Sequence, residues 1–227
     1  MRRRWAQMLL QLAAAIGLWI VALFGGAGRF DWLQGWIYLA AHLSMMAIAA
    51  AVVYRRNPGL FEARADWRHR DTKRFDKIFI AIFFPLYYVQ PAIGGLDNAR
   101  FRWWPLPLVS VYPGLLVFAL SIAVLTWAMA VNPFAETTVR IQADRGQTVV
   151  TAGPYRFVRH PMYVSAILMF LAIPFILCSM WAFVFSAVIC GLFLIRTALE
   201  DQTLQRELPG YEQYAQQTRY RLLPGVW

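Results

Sequence analysis

The amino-acid sequence predicts an all-α membrane protein with about six transmembrane crossings, and three observations lead there. Hydrophobic residues make up 59% of the 227 residues and aromatic residues 16%, too apolar a balance for a soluble globule. Apolar windows of about 17–25 residues, the length that spans a hydrocarbon core of roughly 30 Å, recur along the chain. The basic residues gather in alternate loops between those windows.

The first crossing is read at 5–25, behind the charged start Met1-Arg2-Arg3-Arg4. That run is too long for the core of a secretory signal, and no convincing small-residue cleavage site follows it. Further crossings are expected at 34–54, 77–95 and 107–131. The run 162–199 is too long for one ordinary helix and reads as a tight hairpin, 162–178 and 180–199, reversing near Cys178-Ser179-Met180; one long tilted helix would give five crossings instead. Pro174 lacks a backbone donor and is a candidate kink in the first arm. Two regions follow: an N-terminal four-helix region, 1–131, and a region 132–227 holding a long polar loop, the hairpin and a tail.

The segment 55–77 carries eight Lys/Arg, whereas the connections around Arg29 and around Arg100 and Arg102 carry few. With the N-terminus in the cytoplasm, 19 Lys/Arg lie inside and 3 outside. That asymmetry sets the orientation, puts both termini inside, and suits a bacterial inner membrane. Trp32, Trp36, Trp103 and Trp104 would then form an outer aromatic belt. The net charge of +10 is thus a topology signal, and no nucleic-acid partner is inferred from it.

Cys178 and Cys190 both lie in apolar runs, with no CxxC or Cys/His cluster, so no metal site is expected. His42 reads as a hydrogen-bonded bundle residue and His69 as a solvated loop residue. Asp66, Asp71 and Asp76 read as counter-charges to their arginine and lysine neighbours. The loop 55–77 is a candidate lid.

The most informative stretch is QTVVTAGPYRFVRHPMYVS (147–165), followed by RTALEDQTLQRELPGYEQYAQQTRYRLLP (196–224). Its elements are Gly153-Pro154-Tyr155, Arg159-His160-Pro161-Met162-Tyr163, Arg196 followed by Glu200-Asp201, and a tail with Gly210, Tyr211, Tyr214 and Pro224. This combination resembles the isoprenylcysteine carboxyl methyltransferase family of membrane enzymes over about 132–224. Ser165 stands where that family has glycine, and Asp201 where it has a second glutamate.

The resemblance implies S-adenosylmethionine as methyl donor, held in a cytoplasmic loop and tail. Its contacts would come from Gln147, Thr148, Val149, Val150, Gly153, Tyr155, His160, Pro161, Met162, Tyr163 and Asp201. Tyrosine faces can attract a sulfonium cation, an imidazole can donate or accept, and Pro161 suits the first turn of a helix. Arg196 and Glu200 share a helix face at i, i+4; charges at membrane depth default to functional candidates, and the resemblance puts this pair beside the methyl acceptor as catalytic residues. The partners implied are membrane lipids and a lipidic or prenylated acceptor. A carboxylate acceptor would need only a cation to orient it, whereas a phospholipid amine would need a base. A sterol-reductase-like NADPH enzyme and a small transporter are the readings from other classes.

Overall fold

A computed structural model describes residues 2–65 and 69–227; Asp66 lies outside them. The chain is 73% helical, with no β-strand among the described residues. Among the described residues eight α-helices run in order: α1 (Arg2–Ala27), α2 (Leu33–Arg56), α3 (Pro58–Ala65), α4 (Arg74–Gly95), α5 (Val111–Val131), α6 (Pro161–Ile176), α7 (Trp181–Glu207) and α8 (Tyr211–Gln217). Four helical stretches among these residues are long and apolar enough to cross a membrane: Leu33–Arg56, Arg74–Phe101, Leu108–Val131 and Trp181–Glu207. Ala13–Ala27 and Pro161–Ile176 are shorter apolar helices. This is an all-α integral membrane protein.

The helices pack as a ring: α1 on α4, α4 on α7, α7 on α6, α6 on α5, α5 on α2, and α2 on α1. Trp19, Leu23, Tyr38, Phe79, Phe118, Phe170, Ile173 and Phe193 meet in the main core, so one core runs across the 131/132 boundary. In a lipid environment such packing rests on close contact and interhelical hydrogen bonds more than on apolar burial. Gln90 supplies one such bond, donating to the Phe170 carbonyl (3.1 Å) and the Ser186 hydroxyl (2.7 Å).

The run 162–199 forms a helical hairpin and not a single helix. Cys178 takes φ +53°, and the buried Asp97 accepts from the Ser179 hydroxyl at 2.6 Å and from the Trp104 amide at 2.6 Å. The Ser179 hydroxyl in turn accepts from the Ala182 amide (3.1 Å) and ends the turn. Asp97 itself sits in a six-residue π-helical turn, Leu96–Phe101, that prolongs α4. Helix α6 runs through Pro174 and stops two residues later.

Several side chains differ from their sequence readings. Trp32 is only 3% exposed and donates to the Asn98 side chain at 2.8 Å; it locks α2 to the end of α4, while Trp36, Trp103 and Trp104 stay exposed. His42 stacks on Trp19 at 4.6 Å, and its buried Nδ1 has no hydrogen-bond partner. His69 is not solvated: its Nε2 lies 3.6 Å from Glu136. Asp71 and Asp76 do not serve chain neighbours but reach Arg140 and Arg196.

Candidate active site

The site begins where α5 stops. Asn132 leaves the helix in extended backbone, and both ends of its side chain are bonded. Its amide donates to the Tyr155 hydroxyl (2.8 Å), and its carbonyl oxygen accepts from the Phe134 amide (2.8 Å). Beyond it, Arg140 ties the loop together, bonding Glu136 (2.8 Å), Asp144 (2.7 Å) and, from the other side of the site, Asp71 (3.3 Å). The Glu136 carboxylate first, then Asp144, hold the Arg140 pKa above its ordinary value. Gln142 and Gln147 close the loop on itself through the Gln142 amide and the Gln147 side chain, 2.7 Å apart.

Gly153 turns the chain back toward α6. It has φ +60°, and a Cβ there would lie 3.0 Å from Trp127 Nε1, so any side chain would be both strained and crowded. The short 3₁₀ turn Gly153–Arg156 buries Tyr155, whose carbonyl accepts from the Tyr214 hydroxyl at 2.7 Å. Burial holds the Tyr155 phenol above its ordinary pKa. The next residues are clamped by the tail, since the Arg159 and His160 amides donate to the Tyr220 and Arg221 carbonyls at 2.9 and 3.0 Å. Pro161 then opens α6 where its missing N–H costs no bond.

Asp201 organises this half of the site. It is fully buried and receives Arg159 (2.8 and 3.0 Å), Arg221 (2.8 Å), Gln205 (2.7 Å) and the Tyr211 hydroxyl (3.1 Å). His160 Nε2 lies 3.1 Å from the same carboxylate. An ionised carboxylate only accepts, so this nitrogen carries a proton. The His160 ring lies parallel to Tyr163, at 8° and 5.7 Å between centroids.

The other half comes from α7. Arg196 is packed over the rings of Phe79 (4.4 Å) and Tyr163 (5.3 Å). Its Nε lies 2.8 Å from Asp76 Oδ1, angled off the hydrogen-bond direction, and its Nη2 donates to the Thr137 carbonyl at 3.0 Å. The second Asp76 oxygen accepts from the Val139 amide at 2.8 Å. One turn on, Glu200 accepts from the Tyr163 hydroxyl and has no cationic partner within 4 Å among the described residues.

These groups converge on one cavity of about 310 Å³. Gln147, Thr148, Val149, Val150, Tyr155, His160, Met162, Tyr163, Arg196 and Glu200 all line it; its apolar side is Phe83, Leu125, Ala166 and Phe193. Gly153, Pro161 and Asp201, expected as donor contacts, do not reach the wall. Gly153 and Pro161 shape the backbone beneath it. Asp201 has its lone pairs committed to Arg159, Arg221, Gln205, Tyr211 and His160 and acts through them.

Residues 109–209 match the family model described as phospholipid methyltransferase. The matched span covers 101 of the 227 residues. That family includes the isoprenylcysteine carboxyl methyltransferases, and methyl transfer, not nicotinamide chemistry, is what the match carries. No curated protein matches the chain by sequence.

The matched span holds α5, α6, α7 and the loop, and with them His160, Tyr163, Arg196, Glu200 and Asp201. The cavity is completed from outside it. Arg64 of α3 and Phe83 of α4 line the wall from the N-terminal side, and Tyr211 and Tyr214 of α8 line it from the tail. Sequence reasoning missed Arg64, Asn132, Thr137 and the partnership of Asp76. For Asp76 the signal was hidden: Lys73, Arg74 and Lys77 stand in its own turn and offer it local partners.

Proposed function

We propose that the chain transfers a methyl group from S-adenosylmethionine to a lipidic acceptor, an isoprenylcysteine-like carboxylate, in a pocket opening to the cytoplasm. The observation that carries this reading is the shared cavity: a polar wall from the 147–163 segment faces Arg196 and Glu200 across an apolar floor inside the helix ring. Its volume of about 310 Å³ lies in the range of small-molecule sites.

The residues present suit the donor. Glu200 is an uncompensated carboxylate on the wall beside the Tyr163 ring, a fit for a cationic ligand group. Backbone groups of Gln147, Thr148, Val149 and Val150 lie outside regular helix and can bond a nucleoside edge. Tyr155, His160, Met162 and Tyr163 complete the holding set. When bound, S-adenosylmethionine supplies an electrophilic methyl group on a sulfonium.

Arg196 is the orienting cation for an acceptor carboxylate, which is ionised at neutral pH and needs no base. Asp76 and the Thr137 carbonyl fix the guanidinium, so its remaining N–H groups point in set directions. Phe83, Leu125, Ala166 and Phe193 keep water from the acceptor's apolar part. Holding both reactants aligned in this way can lower a barrier by about 7–11 kcal/mol.

One observation favours a second reading, phospholipid N-methylation: Glu200 lacks a cationic partner and could accept an amine proton. Labelled S-adenosylmethionine offered with S-prenylcysteines, fatty acids and phosphatidylethanolamine separates the two. Base-labile label in a prenylcysteine supports the ester reading, and base-stable label in the lipid amine supports the second. Transfer to none of them, with no binding of S-adenosylhomocysteine, would overturn both. Arg196→Ala should abolish ester formation while sparing S-adenosylhomocysteine binding.

A further inference from the structure

Among the described residues, Arg64 is the unspent cation of the cavity wall. The other arginines on the wall are each neutralised: Arg140 by Glu136 and Asp144, Arg159 by Asp201, and Arg196 by Asp76. Arg64 has no carboxylate within 4 Å among the described residues. Its one fixed bond is from Nη1 to the Ala135 carbonyl, at 2.6 Å, which leaves most of its five donors unused. Leu60, fully buried one turn earlier, packs with Val53 and Ala135 and seats α3 against the loop.

Burial first, and the charge of Arg196 next, press the Arg64 pKa below the usual guanidinium value. The two cations therefore feel each other across the cavity they both line. Both guanidiniums line one space; Arg196 has Asp76 beside it, and Glu200, on the same wall, lies more than 4 Å from Arg64, so Arg64 is left with donors free for a ligand. A buried charge of this kind is costly unless something binds it. Glu136 is close in sequence to Ala135, but its oxygens go to Arg140 and Arg145.

We propose that Arg64 is a specificity-determining residue that binds a reactant carboxylate in the cavity, alongside Arg196. This deepens the methyltransferase reading and rests on it for the identity of the reactants. The carboxylate could belong to the acceptor or to the amino-acid part of the donor. Proximity to Arg196 favours the acceptor. The segment 55–77 then reads out substrate charge.

The test uses the full chain in detergent or nanodiscs and needs no turnover. Binding of an S-prenylcysteine, of its methyl ester and of S-adenosylhomocysteine is measured by calorimetry on wild type, Arg64→Gln and Arg64→Lys, with thermal unfolding as the folding control. Wild type should bind the free acid at least tenfold tighter than the ester. Arg64→Gln, which keeps a donor for Ala135, should lose that preference, and Arg64→Lys should keep part of it. If Arg64→Gln instead weakens S-adenosylhomocysteine tenfold, the carboxylate is the donor's. A folded Arg64→Gln protein that binds all three like wild type overturns the proposal. Failure of wild type to bind S-adenosylhomocysteine at all would instead sink the methyltransferase reading itself.

Discussion

Arg196 of α7 and Asp76 of α4 form an ion pair of 2.8 Å with the carboxylate fully buried, which ties the span 109–209 to a helix outside it. Breaking a buried pair by removing one partner costs about 3–5 kcal/mol, because the other charge is left without compensation. Asp76→Ala should therefore lower the thermal midpoint strongly, and it also orphans the Val139 amide. Asp76→Asn keeps an acceptor for that amide and should cost less. The double variant Asp76→Leu/Arg196→Met should be more stable than Asp76→Ala alone, though inactive. Equal midpoints for Asp76→Ala and wild type would show that the pair contributes nothing.

The tail should undock in alkali. Burial pushes the Tyr214 phenol up to about 12. Burial, with the charge of Asp201 after it, also raises Tyr211. The reference value is about 10, so the folded state holds these protons more tightly than the unfolded one. The stability they confer is complete below pH 10 and is lost as pH rises through about 12. Limited proteolysis between pH 8 and 12 should show α8 and the residues after it becoming cleavable over that window. Tyr214→Phe loses the bond to the Tyr155 carbonyl, worth about 1 kcal/mol, and should blunt the alkaline step. Cleavage that begins well below pH 10 would point to another group.

Much of this architecture was legible because membrane crossings are written as continuous apolar runs, and all six fall where helices form. The hairpin turn was legible from length alone. The motif residues of the loop and of α7 were readable through the family resemblance that their combination carries, with Arg196 and Glu200 alone at helical spacing. Pairings across the chain were not. Nothing local to Asp76 says that its partner is Arg196, and nothing local to Arg64 says that it faces the same space. Trp32 misled because an aromatic next to a loop reads the same whether it faces headgroups or packs on Asn98. Helix α7 runs on to Glu207, beyond the expected 199, because the residues after the apolar run are good helix formers and leaving the bilayer does not end a helix.

The crossing of α1 and α4 depends on glycine. A Cβ at Gly95 would lie 2.6 Å from the Ala27 nitrogen and 2.6 Å from the Leu23 carbonyl oxygen. A Cβ at Gly26 would meet the Ala92 carbonyl oxygen. These are backbone atoms, which cannot swing aside, so the helices must separate to admit even a methyl group. Small residues at such a crossing are what let membrane helices pack without a strong apolar drive. Gly95→Ala should destabilise by about 1–3 kcal/mol through overpacking. Gly191 of α7 supplies the control, since a Cβ there meets nothing within 4 Å. Gly191→Ala should be neutral, or stabilising by up to about 1 kcal/mol from helix propensity. Thermal unfolding of the two variants in the same detergent compares them directly. If Gly95→Ala unfolds no earlier than Gly191→Ala, the α1–α4 contact is looser than the backbone approach implies.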